Sequence, residues 1–272
     1  MERNLGAGFD TEWARSPAAR LARAVILENV IRPTVRLLAD PVIHGLDRIE
    51  TLERPAIFAA NHASHLDTPL LLATLPERFR HHTVIAAAAD YFFDTPVKAR
   101  FNALSIAAFP VDRTTVSRSS LELALQLLAD DWSLIIFPEG GRTPDGWGHD
   151  FRGGAAFLAR RAKVPIVPVH LEGTRRILRK GKGVRGLRRS TTHVTFGRPI
   201  WPDDLETREL SAAVQASVQV LADEQATDWW SARRRAASGT TPPLQGPAAG
   251  PWRRAWALPE GRRGASGTRW PA

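Results

Sequence analysis

The most constraining feature of the chain is an alternation of short β-rich runs with helical patterns from about Ala56 onward. Strands that alternate with helices build a sheet covered by helices, because each helix carries the chain back to the start of the next strand. The sequence therefore predicts an α/β fold. The β-rich runs are Ala56 to Ala60, Thr83 to Ala88, Ser105 to Phe109, Ser133 to Phe137, Pro165 to Leu171 and Thr192 to Phe196.

Composition divides the chain into three segments. Within residues 1–50, apolar and basic side chains between Ala18 and Ala39 predict a basic amphipathic helix that is broken near Pro33. This helix packs on its own domain or lies on a membrane. Residues 51–235 carry the α/β pattern. Residues 236–272 are dominated by Gly, Pro, Ala, Ser and Arg, so we expect a disordered tail.

The positive charge is concentrated in two places. The formal net charge is +9, and residues 231–272 hold eight arginines and one acid. A second cluster places eight basic residues and no acid in residues 175–189. Such a cluster is a solvated loop, or it attracts anionic lipid headgroups or nucleic acid.

The chain has no cysteine, which excludes disulfides, thiolate metal sites and a cysteine nucleophile. No apolar run approaches the roughly 20 residues needed to span a bilayer. A reducing cytoplasm is therefore the expected compartment.

A histidine and an aspartate flank the first turn after a predicted strand. His62 follows the apolar run that ends at Ala60, and Asp67 lies five residues further on. In one regular helix the two side chains would stand about 140° apart, so they meet only if a turn separates them. The carboxylate would then orient the imidazole and raise its basicity. Ser64 lies between them as a candidate nucleophile of a hydrolase, but no G-x-S-x-G pattern surrounds it.

A second polar block follows the strand at Ser133 to Phe137. Its glycines, Gly140 and Gly141, allow a ligand to approach the backbone, and Arg142 can form two hydrogen bonds to a phosphate. Glu139 more plausibly anchors this loop, since its charge would repel a phosphate. Arg113, just past another strand, is a second phosphate candidate.

Four blocks stand in a fixed order: Asn61 to Asp67, Phe109 to Arg113, Phe137 to Thr143, and Val164 to Val169. Together they resemble the 1-acylglycerol-3-phosphate O-acyltransferase (lysophosphatidate acyltransferase) family over roughly residues 56–199. The resemblance implies a glycerol-3-phosphate acyltransferase-like fold. In that fold a central, mixed and largely parallel sheet is flanked by helices, with N-terminal amphipathic helices.

The resemblance also implies roles for the residues of these blocks. His62 would be the general base and Asp67 its partner, while Arg113 and the loop from Glu139 to Arg142 would bind the glycerol phosphate. Val164 to Val169 would border the acyl donor. The chain departs from the family where many members carry a lysine, because Ala87 to Phe93 contains none.

The implied reaction moves a fatty acyl group from acyl-CoA or acyl carrier protein to the hydroxyl of a lysophosphatidate-like glycerophospholipid. It requires no cofactor and no metal. The expected location is peripheral, against anionic lipid at the inner face of the cell membrane. Another lysolipid or glycerol-phosphate acceptor stays open. The alternative to an enzyme is a non-catalytic protein that binds anionic lipid or nucleic acid through residues 175–189 and the arginine-rich tail. If the protein is the enzyme, no specific nucleic-acid partner is expected.

Overall fold

A seven-stranded sheet forms the centre of the protein. The computed structural model describes residues 8–111, 118–142, 145–178 and 189–258. The strands lie in the order β1-β7-β6-β2-β5-β3-β4. Their bounds are β1 Pro41–His44, β2 Ile57–Ala60, β3 Thr83–Ala88, β4 Ala108–Val111, β5 Ser133–Ile136, β6 Ile166–Glu172 and β7 Thr192–Phe196.

The sheet is mixed and largely parallel, as the resemblance implied. Five of its strand pairs are parallel, and β6 pairs with β7 in antiparallel orientation. The carboxyl ends of β2, β3 and β5 therefore meet at one edge of the sheet, and ligands of open α/β sheets bind at such an edge.

The described part of the chain contains twelve α-helices. They are α1 Pro17–Ile26, α2 Arg32–Ala39, α3 Asp67–Thr74, α4 Glu77–Arg80, α5 Ala89–Phe92, α6 Pro96–Ile106, α7 Arg118–Ala129, α8 Gly154–Ala162, α9 Thr174–Ile177, α10 Thr207–Ala226, α11 Trp229–Ala237 and α12 Pro251–Ala257. Among the described residues, no helix combines the length and the apolar character needed to cross a membrane.

Alternate residues of the central strand β2 support two separate cores. Ile57 and Ala59 face the cluster formed with α7, α8 and α10, whereas Phe58 and Ala60 face the cluster formed with α2 and α3. All four residues are completely buried. A strand covered on both faces loses the polar positions of a half-exposed strand, which explains the unbroken apolar run in the sequence.

The N-terminal helices are continuous where the sequence predicted a break. Pro33 lies at the start of α2, and a short π-helical stretch, Leu27–Ile31, joins α1 to α2. The Arg32 N–H donates to the Leu27 carbonyl, five residues back, so the wider turn accommodates the proline. One face packs on the domain through Leu27, Val35 and Ala39.

Two strands differ from the sequence-based prediction. The predicted strand Ser105 to Phe109 is displaced, because α6 continues to Ile106 and β4 begins only at Ala108. β1 was missed, since it is a four-residue edge strand inside the segment assigned to the N-terminal helices. Short apolar runs do not distinguish a helix end from a strand.

The β6 block contains a proline inside an interior strand. Pro168 lies within β6, which runs between β7 and β2. The antiparallel ladder with β7 begins only at Val169, so Pro168 lies just beyond its end and its carbonyl accepts from the Gly197 N–H. A missing N–H is tolerated where a ladder ends.

The C-terminal region also differs from the prediction of a disordered tail. Helix α11 extends to Ala237, and residues 238–258 turn back across the domain and end in α12. Leu244 and Leu258 are buried there. Burial of these two side chains anchors a stretch whose glycines and prolines prevent regular structure over most of its length. Residues 259–272 lie outside the described part.

Candidate active site

His62 and Asp67 form a hydrogen-bonded pair at the carboxyl end of β2. The turn between them ends at Leu66, and Asp67 is the first residue of α3. Nδ1 of His62 lies 2.9 Å from Oδ2 of Asp67. The His62 ring also stacks on Phe137, with ring centroids 4.2 Å apart. The intervening turn is the one that the five-residue spacing requires.

The Asp67 carboxylate orients both the ring and the turn. Its Oδ2 also accepts the backbone N–H groups of Ala63 at 2.7 Å and Ser64 at 2.8 Å, and the side chain is 0% exposed. Because an ionised carboxylate only accepts hydrogen bonds, Nδ1 carries the proton and Nε2 has its lone pair available. Within the described residues, Nε2 makes no hydrogen bond. The pair can therefore take a proton from a ligand hydroxyl.

Glu139 joins the loop after β5 to the His62 turn. Its Oε1 accepts the His62 backbone N–H at 3.0 Å, and its Oε2 accepts the His149 backbone N–H at 3.0 Å. The residue is 3% exposed. The buried carboxylate thus connects two backbone segments, which is the anchoring alternative considered for this residue from the sequence.

Asn61 fixes the base of the same turn. Its Nδ2 donates to the Leu171 carbonyl at 2.9 Å, and the Leu171 N–H donates to its Oδ1 at 2.7 Å. The amide side chain extends the hydrogen bonding between β2 and β6 past the last residue of β2. The sequence placed Asn61 in a motif without a role, and a polar residue directly after a buried apolar run was the available signal.

A cavity of about 210 Å³ opens beside His62. Its walls are mainly apolar and include Ala86, Ile106, Ile136 and the aromatic residues Tyr91 and Phe92. Tyr91 stacks on His65 with ring centroids 4.9 Å apart. The stretch where many family members carry a lysine therefore contributes an aromatic wall.

Arginines and glycines line another part of the same cavity. Gly140, Gly141 and Arg142 lie there, and Arg152 joins them from the segment before α8. Gly140 has a φ of +72°, and a Cβ at this position would lie 2.8 Å from the Arg152 guanidinium carbon. The glycine thus lets Arg152 approach the backbone. Sequence reasoning missed Arg152, which follows no strand, and Arg113 lies outside the described residues.

Other candidates occupy different positions. Ser64 is buried, and its Oγ donates to the Leu178 carbonyl and accepts the Leu66 N–H, so it has no contact typical of a nucleophile.

Arg175, the first residue of the basic cluster, is 2% exposed, so it is not part of a solvated loop. The other described members are Arg176 and Arg189, and residues 179–188 lie outside the described part. The Val164 to Val169 block is buried, and none of its residues lines the cavity beside His62.

Potential metal ligands do not cluster in the described ranges. No group of three or more His, Cys, Asp or Glu side chains there could hold an ion.

Comparisons with known proteins point in one direction. Residues 40–172 match the model of the acyltransferase family. The chain is 29% identical over 194 residues to the 1-acyl-sn-glycerol-3-phosphate acyltransferase of Streptococcus pneumoniae, covering 68% of this chain and 67% of that protein. It is also 29% identical to the Cocos nucifera protein of the same name, covering 73% and 63%.

The similarity has clear bounds. The matched region spans less than half, 44% and 43%, of two chloroplastic plant relatives from Brassica napus and Arabidopsis thaliana. In fold, the chain resembles the crystal structure of the 1-acyl-sn-glycerophosphate (LPA) acyltransferase PlsC from Thermotoga maritima. The TM-score is 0.60 at 23% identity, with coverage of 78% of this chain and 85% of that chain.

Proposed function

We propose that the chain is an acyltransferase like the proteins it resembles, and that it transfers a fatty acyl group from an acyl thioester to the hydroxyl of a lysophosphatidate-like glycerophospholipid. The observation that carries the proposal is the His62–Asp67 pair at the cavity. Asp67 holds the proton on Nδ1 and leaves Nε2 able to accept the proton of an acceptor hydroxyl.

The reaction requires no covalent enzyme intermediate. Nε2 of His62 removes the hydroxyl proton as the oxygen attacks the thioester carbonyl carbon. The C–S bond then breaks, and the thiolate takes the proton back from the imidazolium, so that an ester and a free thiol leave. Positioned base catalysis of this kind contributes about 10²- to 10⁴-fold. Asp67 stabilises the imidazolium between the two proton transfers.

The polar part of the cavity suits the acceptor phosphate. Arg142 and Arg152 line it beside the half-buried Gly140 and Gly141. Guanidinium groups bind phosphate through two parallel hydrogen bonds, and glycines let the anion approach backbone N–H groups. The apolar walls suit acyl carbon atoms, which gain by leaving water. Arg113 would supply a further phosphate contact.

A peripheral location on anionic membrane fits the N-terminal helices. Leu21, Val25, Val30 and Leu37 are exposed on α1, the π-helical stretch and α2, and arginines lie among them. An exposed apolar stripe with basic neighbours is typical of helices at a bilayer surface. This contact would place the enzyme where its lipid acceptor resides.

The test is thiol release from an acyl-CoA in the presence of lysophosphatidate, measured with a colorimetric thiol reagent. We expect release to depend on the acceptor and to fall at least roughly 10²-fold in His62→Ala. His44→Ala, an exposed histidine on β1, serves as the matched control and should keep wild-type activity. Release without acceptor would indicate a thioesterase, and unchanged transfer in His62→Ala would overturn the proposed role of the pair.

A further inference from the structure

A segment near the C-terminus packs against a turn that is hydrogen-bonded to the candidate active site. Residues 244–258, here called the strap, contact residues 145–150, here called the clasped turn. The Leu244 carbonyl accepts the Gly148 N–H at 2.8 Å, and the Trp147 indole N–H donates to the Arg254 carbonyl at 3.0 Å. The Arg254 guanidinium pairs with Asp145 at 2.9 Å. These bonds join the two segments along the length of both.

The contact between strap and clasped turn is closely packed. Leu244 is 2% exposed and Leu258 is 5% exposed. Gly246 has a φ of +73°, and a Cβ there would lie 2.3 Å from Trp147 ring atoms. Only glycine therefore fits this point without displacing the ring. Such packing is not expected of a solvated tail.

Hydrogen bonds connect the clasped turn to the candidate active site. The His149 backbone N–H donates to Oε2 of Glu139, and Oε1 of the same carboxylate accepts the His62 N–H. One buried side chain thus separates the clasped turn from His62. Leu244 itself borders a narrow cleft together with Asn61, His62 and Glu139.

We propose that the strap is a positioning element of the active site, which holds the clasped turn and, through Glu139, the backbone of His62. The inference rests on the proposed function for its catalytic consequence. The residues concerned are positioning residues, because none of Leu244, Gly246 and Arg254 lines the cavity of about 210 Å³ in which the reaction is proposed to take place. Small displacements of a catalytic base cost large factors in rate, so a remote strap can control turnover.

Gly246→Ala tests the proposal on the full-length chain. Gly239→Ala is the matched control, because Gly239 has a similar φ of +68° but a Cβ there would meet no atom within 4 Å. Both substitutions carry the same backbone strain, and only one displaces Trp147. We expect Gly246→Ala to lower kcat roughly 10- to 100-fold with little change in KM, and Gly239→Ala to keep kcat within about threefold.

Amide hydrogen exchange provides a readout that does not depend on activity. The His62 and His149 amides, both bonded to Glu139, should exchange at least about tenfold faster in Gly246→Ala, while the amides of β5 keep their protection. Faster exchange in β5 by the same factor, or unchanged exchange at His62 and His149, would overturn the inference. An inactive wild type would refute the proposed function and still leave this comparison decisive for the strap.

A second pair of variants covers the case in which Gly246→Ala does not fold. Arg254→Ala removes the ion pair with Asp145, whereas Arg253→Ala removes a neighbouring arginine that lies over the exposed Trp252 ring. We expect faster His149 exchange and a roughly two- to fivefold lower kcat in Arg254→Ala only. Equal behaviour of the two variants would contradict the strap's role.

Discussion

Asp67→Asn is the substitution whose effect follows most directly from the geometry. The amide that replaces the carboxylate has the same size and can still accept hydrogen bonds, but it carries no charge. When His62 takes a proton, its imidazolium lies beside Oδ2, with Nδ1 at 2.9 Å. Two unit charges about 4 Å apart attract by about 4 kcal/mol at an effective dielectric constant of about 20. At about 1.4 kcal/mol per factor of ten, kcat should fall about 10³-fold.

The same change should cost only part of the stability. The N–H groups of Ala63 and Ser64 keep an acceptor but lose its charge. A charged acceptor contributes about 1 kcal/mol more than a neutral one, so two bonds lose about 2 kcal/mol. For a domain of this size that lowers Tm by roughly 4–8 °C. Activity measured well below Tm therefore reports on the charge and not on unfolding.

Thiol release from an acyl-CoA measures the effect, and the chain contributes no background because it has no cysteine. Asp94→Asn is the control, since Asp94 pairs with Lys98 on the surface. The reasoning is refuted if Asp67→Asn retains more than about a tenth of wild-type kcat. It is also refuted if Asp67→Asn lowers activity further by more than about threefold in a His62→Ala background, because residues that act as a unit are not additive.

Three further outcomes are expected. Asn61→Ala leaves the Leu171 N–H and carbonyl without their partner, so urea unfolding should show a loss of about 3 kcal/mol, whereas a loss under about 1 kcal/mol would contradict the bridge. Arg142→Ala should raise the KM for lysophosphatidate at least about tenfold and leave the acyl-CoA KM unchanged; equal changes in both would remove Arg142 from the phosphate site. Burial, together with the positive charges of Arg54 and Arg20, lowers the pKa of His82 in the folded state. As the pH falls, His82 therefore becomes protonated in the unfolded state before it does in the folded state. The free energy of unfolding should fall as the pH drops below about 6.5. The difference between the urea midpoints measured at about pH 7.5 and at about pH 5.5 should therefore be smaller in His82→Gln than in wild type.

Local sequence patterns predicted the structure correctly wherever a single segment of the chain determines it. The apolar runs of β2 and β5 are buried on both faces, so their sequences needed no partner to be recognised as strands. The spacing of His62 and Asp67 required a turn followed by a helix, and the pair lies in that arrangement. The four blocks also indicated a resemblance to acyltransferases, whose family model matches residues 40–172, because the order of the blocks is a property of the sequence alone.

The sequence does not indicate features that contacts between distant segments determine. Nothing near Arg152 marks it as a cavity residue, since its position depends on the way α8 follows the loop at Gly140. An anchoring role of Glu139 was expected, but its partner His149 and the Asn61 partner Leu171 lie outside the motifs and could not be named from them. Pro168 is tolerated in an interior strand because the neighbouring ladder ends beside it, which depends on the distant strand β7.

The sequence by itself determined the α/β class, the resemblance to acyltransferases and the turn between His62 and Asp67, because these depend on periodicity, on the order of motifs and on spacing within short segments. Only the tertiary structure decided that the C-terminal strap packs against the clasped turn, which Glu139 connects to His62. Its glycines, prolines and arginines have the composition of a disordered chain. A few buried contacts, such as that of Gly246 with Trp147, hold the strap in a fixed position. Packing between segments that lie far apart in the chain leaves no periodic signal in the sequence.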